Sequence, residues 1–311
     1  MLNIENQKNK IKKRKGVAIK TYGSVTGSNV GVVMKEAVRR AINAISNERF
    51  AFEAQAKLGK TGKMDDVVTS ADKRAQESYV KILLESFPTF GIVAEEENLS
   101  IPCTEPGRKI WWTVDPLDGT RAFIRRQSSG IGTQVALVED GEVIAACVGD
   151  VMTREMFYFR PDSEKIHRLS GFEIPEDLSI DPKATLTSQY LLLRDRPKLY
   201  SEGANKIIDS MFKKCQTADG SIGLSMARLW KGEFGGKILE PGLNTPWDFC
   251  PVLGISKKLG FEFFSIDPVD GSLTWLKPLA LPTNQKTSTE TLIIHSSRVE
   301  EISQRFAVKN T

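Results

Sequence analysis

Histidine is almost absent from this 311-residue chain. It has two, His167 and His295, and both sit beside strand-like stretches where a structural role suits them. A Ser/His/Asp or Cys/His catalytic arrangement has little to draw on. Cysteine is scarce as well: Cys103, Cys147, Cys215 and Cys250 show no Cys-x-x-Cys spacing and no secretory context, so they read as reduced thiols in a cytoplasmic protein. No apolar segment is long enough to span a membrane. The N-terminal residues lack the apolar core of a secretory signal, and their Lys-rich, Ser-free character suits a mitochondrial transit peptide poorly.

The formal charge of +4 is unevenly spread. Residues 1–20 hold Lys8, Lys10, Lys12, Lys13, Arg14, Lys15 and Lys20 against Glu5, a local +6 that leaves the other 291 residues at −2. The body is thus no basic nucleic-acid surface. The arm, residues 1–30, is polar and expected to be disordered; nucleic acid would be met, if at all, through residues 8–20. A hydrophobic content of 40% suffices for one large core or two packed subdomains.

The most informative string is Asp115-Pro116-Leu117-Asp118-Gly119-Thr120. It follows the apolar run Trp111-Trp112-Thr113-Val114, which reads as a buried strand left through a Pro- and Gly-bearing turn. Two carboxylates three residues apart can converge, and their repulsion calls for a hard cation such as magnesium. Gly119 and Thr120 can offer backbone N–H groups and a hydroxyl to a phosphate or an attacking water. The pattern recurs as Asp267-Pro268-Val269-Asp270-Gly271-Ser272, between two short strand-like runs, and there it reads as a hairpin turn.

Company elsewhere distinguishes the two copies. Asp66-Val67-Val68-Thr69-Ser70-Ala71-Asp72 leads into a helical pattern, and Phe90-Gly91-Ile92-Val93-Ala94 is a short buried strand ending in Glu95-Glu96-Glu97. Pro246-Trp247-Asp248 opens another helix-like run. Each alone has a plain explanation as a helix charge, a solvated loop or a helix cap.

Together and in this order they resemble the inositol monophosphatase-like superfamily of magnesium-dependent, lithium-sensitive phosphatases. The resemblance spans residues 66 to 248 by motif and about 31 to 307 overall. It implies a layered α/β/α/β sandwich, in a mixed α+β and α/β class. An α+β half, residues 31–180, would carry most metal ligands, and an α/β half, residues 181–311, would supply Asp248. Glu95, Asp115 and the Leu117 carbonyl would hold one Mg2+; Asp115, Asp118 and Asp248 would hold a second. Glu96 would be peripheral. Thr120 paired with Asp72 would deprotonate the attacking water, with Gly119 and Thr120 N–H groups on the phosphate. A lysine of the Gly59-Lys60-Thr61-Gly62-Lys63 loop would reach the site, Lys60 or Lys63. Homodimers are common among such relatives.

The chain departs from the family where Ala94 replaces a frequent glycine, where Ala122 stands in place of an asparagine, and where Phe249-Cys250-Pro251-Val252 replaces small residues. None of these removes an implied ligand. Arg121-Ala122-Phe123-Ile124-Arg125-Arg126 is similar to the bisphosphate nucleotidase branch, which takes 3′-phosphoadenosine 5′-phosphate, while the stretch before Asp248 is also similar to histidinol-phosphate phosphatases. Glu240 lies near where inositol phosphatases bind a sugar hydroxyl, one residue further from the Trp-Asp pair. The implied activity is hydrolysis of a small phosphorylated metabolite; a binding-only or RNA-associated relative is the other reading.

Periodicity predicts helices over residues 30–57, 71–87, 204–214, 222–231 and 247–259, with a further one near 297–306. It predicts strands over 110–114, 133–139, 142–148, 155–159, 184–193 and 237–239. Residues 161–183 hold turn formers and look like a boundary.

Overall fold

The computed structural model of the chain describes residues 20–23, 25–57, 66–170, 174–277 and 284–310. Two helices form where apolar residues recur every three or four positions. Helix α1 (Gly27–Glu48) buries Val30, Met34, Val38, Ala41 and Ile45 on one face, and α2 (Ser70–Ser86) buries Ala71, Ala75, Tyr79, Ile82 and Leu83. Each starts in a capping box, Thr26 with Asn29 and Thr69 with Asp72. The helix expected to reach Lys57 stops at Glu48. Residues Ala54–Lys57 are instead a strand paired antiparallel with Asp66–Thr69. That partner lies beyond the reach of local periodicity.

The first sheet holds β1 (Gly91–Ala94), β2 (Ser100–Ile101), β3 (Ile110–Asp118), β4 (Gly132–Glu139), β5 (Glu142–Asp150), β6 (Met156–Phe159), β7 (His167–Leu169) and β8 (Pro175–Asp177). Its order is β8-β7-β6-β5-β4-β3-β1-β2, antiparallel except where β1 runs parallel to β3. Residues 161–183, read as a boundary, contain β7 and the edge strand β8, which extend the sheet beyond β6. Helices α1 and α2 cover one face of this sheet, with Trp112, Val114, Val135 and Leu137 among the residues they bury. After β3 the chain turns into the short helix α3 (Thr120–Ile124).

The second sheet is built from β9 (Tyr190–Leu193), β10 (Lys214–Thr217), β11 (Gly236–Leu239), β12 (Phe261–Ile266), β13 (Leu273–Leu276), β14 (Thr291–His295) and β15 (Val308–Lys309), in the order β10-β9-β11-β14-β12-β13-β15. The strand expected over 184–193 is confined to its last four residues, after a 3-10 turn at Leu186–Ser188. Lys214 belongs to β10, not to the preceding helix α4 (Glu202–Met211). Helices α5 (Ile222–Trp230) and α6 (Pro246–Lys258) lie between the sheets. Alternation along β9 shows the layering: Leu192 joins that central core, whereas Leu191 and Leu193 pack with Ile207 and Met211 of α4 on the outer face. The architecture is the expected layered α/β/α/β sandwich, with α4 over the far side.

Residues 1–19, most of the basic arm, lie outside the described residues, as do Lys60 and Lys63. From Lys20 the chain is seated. Lys20 pairs with Glu139 at 2.6 Å, and Tyr22 is buried with the Arg108 guanidinium 5.1 Å from its ring centre. Among the described residues no helix is long and apolar enough to cross a membrane.

Candidate metal centre

The carboxylate motif does not leave its strand where the sequence suggested. Strand β3 runs on to Asp118, with a bulge: Asp115 is opposite Gln134 and Asp118 opposite Gly132, so three steps on β3 match two on β4. Residues three apart on a regular strand point to opposite faces. The extra residue cancels that alternation and turns both aspartates to one side. Gly119 then adopts φ +96°, and a Cβ there would lie 2.3 Å from the Gly130 carbonyl oxygen and 2.9 Å from the Ser221 nitrogen. Only glycine fits this crossing between the β3 motif and the start of α5.

Asp248 arrives from the other half, as the third residue of α6 behind Thr245 and Pro246. Thr245 Oγ1 donates to its Oδ2 at 2.7 Å. Ligand atoms of Asp115, Asp118 and Asp248 all lie within 4.8 Å of one another. Asp118 is held by the first turn of α5: Ser221 Oγ donates to it, as do the Gly223 nitrogen at 2.9 Å and the Ile222 nitrogen at 3.1 Å.

Asp72 occupies the same third position in α2. Its Oδ2 accepts from Thr69 N at 2.7 Å and Thr69 Oγ1 at 2.6 Å, which frees Oδ1 to accept from Thr120 Oγ1 at 3.1 Å. The Thr120 hydroxyl also lies 3.1 Å from the Leu117 carbonyl. Glu95 follows β1, its nitrogen bonded to the Val114 carbonyl at 3.2 Å. Its carboxylate is outside the tight trio and accepts from Lys57 Nζ at 2.8 Å, while Glu96 accepts from the same amine at 2.7 Å. Gln76 pins Glu96 through both its backbone groups.

Repulsion among these acids is legible in their protonation. Burial, then Glu95, Asp118 and Asp248, push the Asp115 carboxyl well up. Burial and Asp248 raise Asp118 against the hydrogen bonds from α5. Burial carries Glu95 up to about 7, with Lys57 opposing and Asp248 and Glu96 adding to it. Asp72 is pushed up to about 6, chiefly by burial, against its bonds from Thr69. Burial works against the Lys57 ammonium, but Glu95 and Glu96 outweigh it and hold its pKa above the usual range. A centre of oxygen donors whose negative charges resist ionising together fits a hard divalent cation.

Beside the trio opens a cavity of about 540 Å³, lined by Asp248, Ser221, Ser225, Lys237, Glu240 and Arg194 among others. Glu240 thus borders the site, its carboxyl raised by burial and by Asp195. Arg121 is exposed in the first turn of α3, and Arg125 pairs with Asp219. The two histidines lie elsewhere, His167 bonded to Asp177 and His295 to Ser297. The second Asp-Pro-x-Asp copy is the β12–β13 hairpin, where Asp267 Oδ1 accepts from the Val269 and Asp270 nitrogens at 2.8 and 3.1 Å.

Sequence reasoning missed three residues. Lys57 was assigned to a helix. Ser221 carried a readable signal as a serine just before a helical run, and Lys237 as a lone lysine inside an apolar strand.

Helices α1 and α2, the first sheet, α5 and α6, the second sheet and α4 thus stack in turn, and the start of α6 meets the end of β3 at an all-oxygen cluster of Asp115, Asp118 and Asp248. Residues 28–301 match the model of the inositol monophosphatase family, and the chain belongs to that family. It is 29% identical over 230 residues to the Nus factor SuhB of Vibrio cholerae, covering 72% of this chain and 81% of that one. It is 28% identical over 193 residues to the bifunctional phosphatase IMPL2 of Arabidopsis thaliana, covering 62% of this chain and 53% of that one. A solved structure described as IMPase/NADP phosphatase complexed with Mg2+ and phosphate has the same fold, with a TM-score of 0.68 at 18% identity over 89% of this chain and 95% of that one.

Proposed function

We propose that the chain is a magnesium-dependent phosphomonoesterase acting on a small phosphorylated metabolite. The carrying observation is the convergence of Asp115, Asp118 and Asp248 within 4.8 Å beside a Thr120–Asp72 hydrogen bond. Asp115, Asp118 and Asp248 would hold one Mg2+, and Glu95, Asp115 and the Leu117 carbonyl another. Bound magnesium would supply Lewis acidity, acidifying water and offsetting charge on the phosphate and the leaving oxygen.

The protein groups supply proton transfer and placement. Thr120 Oγ1 takes a proton from the attacking water as its own passes to Asp72 Oδ1, while the water oxygen bonds to phosphorus and the ester P–O bond breaks. Asp72, held at about 6, is mostly ionised at neutral pH yet basic enough to accept that proton. Gly119 and Thr120 N–H groups orient the phosphate. Residues 31–180 supply most of these groups and residues 181–311 bring Asp248. Arg121, next to Thr120 in α3, would meet the phosphate side of the substrate, and Glu240, which lines the cavity, would face its alcohol portion.

Several relatives are called Nus factors, which favours as second reading a binding protein that works without turnover. Magnesium-dependent phosphate release from inositol 1-phosphate, 3′-phosphoadenosine 5′-phosphate, histidinol phosphate and fructose 1,6-bisphosphate separates the two. Turnover of any supports the enzyme. Release from none, in a protein that binds magnesium by calorimetry, supports the binding protein.

A further inference from the structure

A lysine is buried in the cavity beside the carboxylate cluster with a hydroxyl, not a carboxylate, as its partner. Lys237 on β11 is 4% exposed, and its Nζ donates to Ser225 Oγ at 2.8 Å. Ser225 Oγ donates in turn to the Ile222 carbonyl at 2.7 Å, and the Ile222 nitrogen donates to Asp118 Oδ1 at 3.1 Å. One helical turn therefore links the amine to the proposed metal centre. Among the described residues no ion pair forms on Lys237. An ammonium buried without a counter-charge is costly, and leucine would fill a strand position in this core without that cost.

Other features of the cavity point the same way. Arg194, at the end of β9, and Lys286 line it with Lys237, against Glu240 and Asp248. Its volume of about 540 Å³ suits a whole small metabolite rather than a phosphoryl group alone. Burial and then Arg194 bring the amine down to about 7; Asp118 and Glu240 oppose this and Arg228 adds to it. An anion on the amine would favour its charged form. By contrast Arg121, Arg125 and Arg126 are not among the residues lining this cavity, and Arg125 pairs with Asp219.

We infer that Lys237 and Arg194 form a second anion subsite, so that the phosphate ester taken by this chain carries a further anionic group, phosphate or carboxylate, on its alcohol portion. The subsite presupposes the phosphatase reading above. Lys237 selects the substrate by pairing with that distal group, and the reacting phosphate stays at the carboxylate trio.

The test compares wild type, Lys237→Met and Arg194→Gln on fructose 1,6-bisphosphate, 3-phosphoglycerate and inositol 1-phosphate in magnesium buffer. KM and kcat are measured where a probe turns over, and calorimetric Kd where it does not. Wild type should favour one of the first two over inositol 1-phosphate by about 10-fold or more, and which one tells phosphate from carboxylate. Lys237→Met should reduce that preference by about 10- to 100-fold, through KM or Kd and not kcat. Arg194→Gln, at an exposed position, should reduce it by about 3- to 10-fold and decides the matter should Lys237→Met fail to fold. A wild type that favours inositol 1-phosphate, or folded variants with unchanged preference, overturns the subsite. No turnover of any probe would defeat the phosphatase reading alone, since the Kd comparison still decides the subsite.

Discussion

Thr120 Oγ1 donates to Asp72 Oδ1 at 3.1 Å across 48 residues of chain, while the other Asp72 oxygen closes the capping box of α2. One carboxylate thus anchors a helix and holds a hydroxyl beside the acid cluster. The helix fixes the Asp72 carboxylate, and that carboxylate holds the Thr120 hydroxyl.

Thr120→Ala and Asp72→Asn should each lower kcat by about 10²–10⁴, the usual range for losing a general base. The double variant should be little worse than either single one, because the two act as a unit. Additive losses would mean they act separately.

Asp115→Asn should abolish turnover and weaken magnesium binding measured by calorimetry, since Asp115 is 1% exposed and is the residue shared by both proposed ligand sets. Near-normal activity in this variant would remove the proposed centre.

Stability with divalent metal chelated should fall as pH rises. A carboxyl raised by folding binds protons that the unfolded chain has released. Its contribution is full below the ordinary range near 4 and is lost as pH passes about 6 for Asp72 and about 7 for Glu95. Thermal melting in EDTA from pH 4 to 8 should show a steeper decline for wild type than for Glu95→Gln; equal slopes would contradict the assignment.

Asp267→Asn and Asp270→Asn should leave turnover intact, because their carboxylates accept backbone bonds within the β12–β13 turn. Asp267→Ala should lower stability by about 0.5–1.5 kcal/mol per lost bond in urea unfolding. Loss of activity in a folded Asn variant would implicate the wrong copy.

Gly119→Ala should destabilise the chain and impair turnover together. The left-handed backbone alone costs roughly 1–2 kcal/mol, and the added Cβ would meet the Gly130 oxygen at 2.3 Å. Wild-type stability and activity in this variant would mean that the crossing can relax.

Helices α1, α2 and α6 were legible because their apolar residues recur at helical spacing, and β3 to β6 because short β-rich runs are separated by turns. The strand at Ala54–Lys57 was not, since its identity comes from pairing with Asp66–Thr69. Lys57 was misplaced for the same reason, and with it the cation that joins Glu95 to Glu96.

The sequence by itself determined which residue types could make an oxygen-rich acidic centre, and the order of its motifs pointed to the family. Composition and spacing carry chemistry of that kind because a carboxylate remains a carboxylate wherever the chain puts it. Only the tertiary structure decided that a bulge turns Asp115 and Asp118 to one side, that α6 brings Asp248 to them, and that Lys57 and Lys237 stand where they do. Those outcomes depend on strand register and on packing between segments distant along the chain, which no local pattern encodes.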